Sequence, residues 1–380
     1  MSCWRNDRAS SRASQCPGGA LLVLLLMASA VAGPPSALAA NKKAVVFVAD
    51  SLTWLQIAGT DTPNIDRLAA QGAIAAMSCA TAAPALSQRS YLTLGAGSRA
   101  THPLGWDEPA VQGTDHGLVL EGIDELHEAN RRLTYDVEVG ALGRALHQAG
   151  LRTALVGNAD WTDAAGRHVS SLWAIAIAMD DHGVVDCGEV GRSVLRQGDD
   201  GTLIWTDRAE LLAQLDRCLD QADVVVIEAG DTGRIAHLPE ASTSPTQEPS
   251  ARHQALAQTD ELLGAVLKRA RPEWLFVFVT PSPSPTEFSW LTPLIVRGPE
   301  RRGGLLTSGT TLRPGLVATI DFAPTVLAYF GLPIPPSFTG RPVRVVQSPD
   351  DSPPARLVAL SLRSHHTHRL RPFYFPLFVV

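Results

Sequence analysis

The run Val45-Val46-Phe47-Val48-Ala49 stops abruptly at Asp50. It is apolar, largely β-branched and shows no polar alternation, the pattern of a strand buried on both faces in a parallel sheet. A carboxylate then sits at the carboxyl end of that strand, where open α/β sheets place their ligands. Asp50 in that place can hold a cation or orient a substrate. Downstream, Thr62 suits a helix N-cap, Pro63 the first helical position and Gly72 the stop.

The rest of the chain keeps to this α/β pattern. Residues 139–147 have helical spacing and stop at Gly150, and residues 153–156 then read as a strand, the alternation of a doubly wound sheet. Residues 207–221 form an amphipathic helix with Leu211, Leu212, Leu215 and Leu219 on one face. Val224-Val225-Val226-Ile227 is a second buried strand, residues 252–268 a helix, and residues 274–279 a strand ended by Pro281, Pro283 and Pro285. Residues 87–94 begin a helix closed by Gly95-Ala96-Gly97, and residues 169–179 fit strand or helix equally. Residues 98–136 are polar and without a clear period, and read as a cap-like excursion over the carboxyl edge of the sheet.

With 380 residues, 45% of them hydrophobic, the chain can bury a sizeable core. A net charge of -6 and the lack of any basic cluster interleaved with aromatics argue against a nucleic-acid partner. Arg5, Arg8 and Arg12, the apolar residues 20–32 and Ala37-Leu38-Ala39 compose a secretory signal peptide over residues 1–39, with the mature chain beginning at Ala40. An uncleaved anchor is the alternative, though the apolar run falls short of the roughly 20 residues that span a bilayer. Export to the periplasm or beyond the cell is therefore expected. Of the five cysteines, Cys79, Cys187 and Cys218 lie past the leader, enough for one disulfide and without the spacing of a zinc site. The tail, residues 347–380, is Pro-rich, then basic (His365, His366, His368, Arg369, Arg371), then apolar from Phe373 onward. It either packs on the domain or a membrane surface, or is the start of a longer relative's membrane segment.

Two distant stretches carry a family likeness. The strand and acid followed by Thr62-Pro63-Asn64-Ile65-Asp66-Arg67-Leu68, and the stretch Ile320-Asp321-Phe322-Ala323-Pro324-Thr325-Val326-Leu327, resemble the opening and the closing helix of the alkaline phosphatase superfamily. That superfamily includes sulfatases, phosphodiesterases and cofactor-independent phosphoglycerate mutases. The resemblance implies one α/β domain over residues 40–346, with a mostly parallel sheet and helices on both faces, and Asp321 as N-cap of the closing helix. It also implies a two-metal site of carboxylates and imidazoles beside a hydroxyl nucleophile.

Carried over position by position, the resemblance makes Asp50 the first ligand. The nucleophile position falls on Ala85, with Thr81 and Ser87 the nearest hydroxyls. Ser87 is the substitute nucleophile, and equally an ordinary helix N-cap. Asp231 takes the next ligand position, but Ile235 stands where the family has a histidine and His237 is the nearest imidazole. Arg234 suits an anion. The family's Asp-His pair is replaced by Thr280-Pro281-Ser282-Pro283. Asp181-His182 has the right letters in the wrong order of the chain, and reads as a turn. No histidine occurs between His253 and His365 to serve as the last ligand. The metal set implied is thus Asp50, Asp231 and His237, for zinc, manganese or magnesium, and two carboxylates hold one hard cation only weakly.

Two functions are compatible with this pattern. One is a non-catalytic binding or scaffolding module at the cell envelope, with a protein partner that the sequence does not name. The other is a metal-dependent hydrolase of phosphate or sulfate esters with a non-standard site. A mutase-like isomerase needs the same two metals, and a secretory leader does not suit a metabolic enzyme.

Overall fold

A computed structural model describes residues 42–82, 87–106, 108–115, 117–163, 165–198, 203–237, 248–283, 290–299, 303–348 and 352–374. Residues 1–39, expected from sequence to be a signal peptide, Ala85 and the last residues of the tail lie outside the described residues.

Ten strands form one central sheet: β1 (Ala44–Val48), β2 (Ala73–Ser78), β3 (Thr153–Asn158), β4 (Cys187–Glu189), β5 (Val224–Ala229), β6 (Leu275–Val279), β7 (Leu291–Arg297), β8 (Leu305–Ser308), β9 (Leu316–Ala318) and β10 (Val343–Val346). Their spatial order is β10-β8-β2-β7-β6-β1-β5-β3-β4, with β9 also on β2. β1 lies between β5 and β6 and is parallel to both, with Val48 opposite Glu228 on one side and Val279 on the other. Of the described strands in this sheet only β7 and β10 run against the rest. The protein is an α/β fold with a mostly parallel sheet.

Alternate residues of β1 feed two different cores, as the pleat of a strand requires. Val46 and Val48 belong to the core covered by α3 (Ser87–Ala96), α5 (Ala141–Gln148), α6 (Ile175–Ala178) and α10 (Phe322–Phe330). Val45 and Phe47 belong to the core covered by α1 (Trp54–Ala58), α2 (Pro63–Gln71), α7 (Arg208–Gln221) and α9 (Glu248–Leu267). Helices therefore cover both faces. Two further helices complete the set used below, α4 (Ile123–Arg131) and α8 (Asp231–Ala236).

Residues 98–136 are not without structure. They carry a hairpin, Val111–Thr114 with Gly117–Leu120, and helix α4, whose Leu126 is buried in the first core. The tail continues as helix α11 (Pro353–Tyr374), and its Leu357 is fully buried in the second core. Residues 169–179 resolve to helix α6 at their end. There α3 lies so close that a Cβ on Gly95 would meet the Ala176 carbonyl oxygen. Gly95 is inside α3 rather than past it, because that close approach needs a residue with no side chain.

The two caps expected from sequence work differently from the expectation. Thr62 makes no side-chain capping bond to α2. Asp260 of α9 caps that helix instead, accepting hydrogen bonds from Asn64 N (3.1 Å), Ile65 N (2.8 Å) and Asn64 Nδ2 (2.8 Å). A carboxylate beats a hydroxyl here because it meets several orphan N–H donors and the positive end of the helix at once. Asp321 likewise makes no side-chain cap for α10. It gathers Ser308 Oγ (2.7 Å), Ala318 N (2.9 Å) and Arg341 N (2.9 Å), pinning the edge of the sheet to the loop that follows.

The difference between the two candidate caps of α2 is measurable. Asp260→Ala is expected to lower stability by about 2–4 kcal/mol, since it strands buried donors. Thr62→Val, which removes a buried hydroxyl without a partner, is expected to be neutral or stabilising. Urea unfolding of the two variants checks this, and equal losses would show that Thr62 carries the cap.

Candidate functional site

Asp50 is buried at the carboxyl end of β1. Both of its carboxylate oxygens are already engaged by protein donors. Oδ1 accepts from Ser282 N (2.8 Å) and Ser282 Oγ (2.9 Å), and Oδ2 accepts from Ser87 Oγ at 2.6 Å. The chain turns sharply next, with Ser51 in the left-handed region at φ 64°. Ser51 N donates to Ser282 O (3.0 Å), so the ends of β1 and β6 clasp each other in both directions. Burial raises the Asp50 carboxyl above its ordinary range, opposed first by the Ser87 bond and then by those from Ser282.

The structure thus brings Ser87 to Asp50, through the first residue of α3. It joins them to Ser282, which the sequence reading passed over as part of a proline-rich stop. Ser282 occupies the stretch where the resembled family carries its Asp-His pair.

Glu228 faces the same region from β5, in register with Val48. It is buried, and its Oε2 accepts from Tyr91 Oη of α3 at 2.9 Å, while Oε1 has no partner. Burial, and then the charge of Asp50, push its carboxyl up to about 8, so it keeps its proton at neutral pH. Tyr91 is driven well above its ordinary value by burial and by Glu228. Neither residue stood out in the sequence, where Glu228 reads as the end of an apolar strand.

Asp231 opens α8, whose Gly233 lies beside Asp50. Its Oδ1 accepts from Arg234 Nη2 (2.7 Å), Thr206 N (2.8 Å) and Thr206 Oγ1 (3.0 Å). Arg234 is itself buried and donates onward to Asn158 O and Thr206 Oγ1, both at 2.6 Å. The guanidinium that could have met an external anion is spent on an internal one. His237 stacks on Trp161, with ring centroids 4.8 Å apart, and burial lowers its imidazole below the ordinary value. Asp181 and His182 belong to the turn before the strand at Val184, where Asp180 accepts from His182 N and Val184 N. Among the described residues no three His, Cys, Asp or Glu side chains are grouped so that they could hold a metal ion.

A pocket of about 450 Å³ opens beside this cluster, at the same edge of the sheet. Its lining includes Ser51, Gln56, Thr60, Thr232, Arg252 and His253. The described lining mixes polar and apolar residues and carries no acid.

The arrangement defines an α/β protein whose strand-end carboxylate is met by hydroxyl and amide donors. No protein-family model and no curated protein sequence matches the chain. Solved structures similar to it include a protein in the alkaline phosphatase superfamily from Vibrio parahaemolyticus, at 14% identity and a TM-score of 0.48, covering 79% of this chain and 69% of that one. Another is the phosphonate monoester hydrolase SpPMH from Silicibacter pomeroyi, at 14% identity and a TM-score of 0.46, covering 82% and 78%. A third is the lipoteichoic acid synthase LtaP from Listeria monocytogenes, at 13% identity and a TM-score of 0.45, covering 79% and 73%.

The two-metal centre that the sequence resemblance implies does not fit the residues present. A zinc-like ion wants anionic oxygen and neutral imidazole donors with free lone pairs. The partners of Asp50 are two serines, the neighbouring Glu228 keeps its proton, and Asp231 is paired with Arg234.

The sign of the Glu228 shift gives a pH test. Its carboxyl rises from 4.5 to about 8 on folding, so the stability it contributes is full below pH 4.5 and is lost as pH climbs from there to about 8. Glu228→Gln, which fixes the neutral form, is expected to flatten the decline of unfolding free energy across that window. Parallel pH profiles for wild type and variant would mean that Glu228 ionises freely in the native state.

Proposed function

We propose that this chain is an exported, non-catalytic module on an alkaline-phosphatase-like scaffold, acting by binding at the cell envelope. The observation that carries the reading is the state of Asp50. Both oxygens of the carboxylate that would anchor a metal are engaged, by Ser87 and Ser282, and Ser87, one of the two hydroxyls nearest the nucleophile position, spends its proton on that carboxylate. The bond holds Ser87 against Asp50, the one base it is seen to meet, and that base is already held by Ser282 through its other oxygen. Binding in this reading uses the adjacent pocket, where the buried Thr232 hydroxyl has no partner among the described residues. Export rests on the leader, with Ala40 as the first mature residue.

Hydrolysis of phosphate and sulfate monoesters and of phosphodiesters, assayed with added zinc or manganese, should show no turnover beyond that of Asp50→Asn. Turnover abolished by Asp50→Asn or Ser87→Ala would establish the hydrolase instead. Amino-terminal sequencing of the protein recovered outside the cytoplasm should begin at Ala40, and recovery with the leader intact would overturn the processing. A thermal-shift screen of small polar ligands should find stabilisation that Thr232→Val removes.

A further inference from the structure

Cys187 and Cys218 lie far apart in the sequence and together in space. Cys187 opens β4, the edge strand of the central sheet, opposite Ala154 of β3. Cys218 is in the last turn of α7, which covers that edge. Both are thiols, and their sulfur atoms are 3.4 Å apart. A disulfide needs about 2.0 Å, a closure within reach of side-chain rotation. The two differ in access, since Cys218 is buried whereas Cys187 is half-buried.

We propose that Cys187 and Cys218 are a disulfide site, formed by exchange with an organic disulfide, which fastens the edge strand of the sheet to α7. The chemistry follows from the asymmetry of the pair. The Cys187 thiol is lowered by its hydrogen bond with Cys218, with Arg152 and Lys43 adding to the effect, while Cys218 is raised by that bond and by burial. Cys187, as thiolate, attacks one sulfur of the oxidant and expels its other half as a thiolate. Cys218 then gives up its proton and attacks the Cys187 sulfur of the mixed disulfide, expelling the second half. Two protein thiols become one disulfide and one organic disulfide becomes two thiols, so electrons and protons balance.

Cys79 stays outside this exchange. It is buried on the far side of β1, its thiol is pushed up to about 12 by burial, and its sulfur lies 3.1 Å from Thr292 Oγ1.

The bond closes a ring whose two cysteines are 31 positions apart. That ring contains Thr206, whose N–H and hydroxyl hold Asp231, and Asp207, which caps α7 through Glu210 N (3.0 Å). Oxidation therefore secures the segment that supports α8 beside Asp50. The inference does not depend on whether the chain is catalytic.

The test uses the full chain equilibrated with oxidised glutathione, alkylated and digested with trypsin. Arg192 and Arg217 place the two cysteines on separate peptides. The expected result is a cross-linked pair of peptides carrying Cys187 and Cys218, with Cys79 alkylated. Reduction should then lower Tm by about 5 °C and speed proteolysis between residues 188 and 217. Cys218→Ser should trap glutathione on Cys187, which fixes the order of attack. Alkylation of both Cys187 and Cys218 after oxidation, a stable glutathione adduct on Cys187 in the wild type, or a cross-link to Cys79 would each overturn the proposal.

Discussion

A carboxylate at the end of a central parallel strand, walled in by helices, has lost its water and must be met by something else. At Asp50 that something is Ser282 and Ser87, with three donors on two oxygens. The consequence is structural before it is functional. The bonds join the ends of β1 and β6 to the first turn of α3, so three segments distant in sequence are positioned by one side chain. The left-handed turn at Ser51 accompanies the same clasp, its N–H donating to Ser282 O as the chain leaves β1 for α1. A non-glycine residue there costs about 1–3 kcal/mol, and the clasp offsets it.

Burial governs the neighbouring acid as well. Desolvation first, and the charge of Asp50 second, keep Glu228 protonated at neutral pH against Tyr91. Asp231 is solved another way, through a buried ion pair with Arg234 that Thr206 and Asn158 complete. Each acid at this edge of the sheet is thus answered locally, by hydroxyls, by a proton or by a guanidinium. A metal centre depends on the opposite condition, a surplus of negative charge and lone pairs that only a cation relieves.

The fold was legible in the sequence to a useful degree, and the reasons are physical. The β1 and β5 strands announce themselves because burial on both faces demands unbroken β-branched runs, and Asp50 stands out because it ends one. The capping of α2 was not legible, since its acceptor, Asp260, lies on α9 some 196 residues away, and local propensity at Thr62 has no term for that. Ser282 was hidden for a related reason. The prolines around it mark the end of a ladder correctly, but nothing local says that the serine between them reaches back to β1. Glu228 was masked by the apolar run it closes. Gly95 looked like a helix stop because glycine usually is one, whereas here the backbone of α6 occupies the space a side chain would take.

The two cores hold the scaffold together independently of the chemistry at its carboxyl edge. Val46 and Val48 point into one core and Val45 and Phe47 into the other, and Asp50 belongs to neither. The hydrophobic free energy that holds the sheet and its helices together is therefore earned below the carboxyl edge, in side chains that have no part in metal binding. What the edge requires is only that its buried polar groups be satisfied. Hydroxyls can do that as well as cations, provided they arrive from fixed elements, and Ser87 at the head of α3 and Ser282 at the foot of β6 arrive from two. Neither serine belongs to either apolar core, so what covers the carboxylate at this edge is set independently of what holds the sheet together.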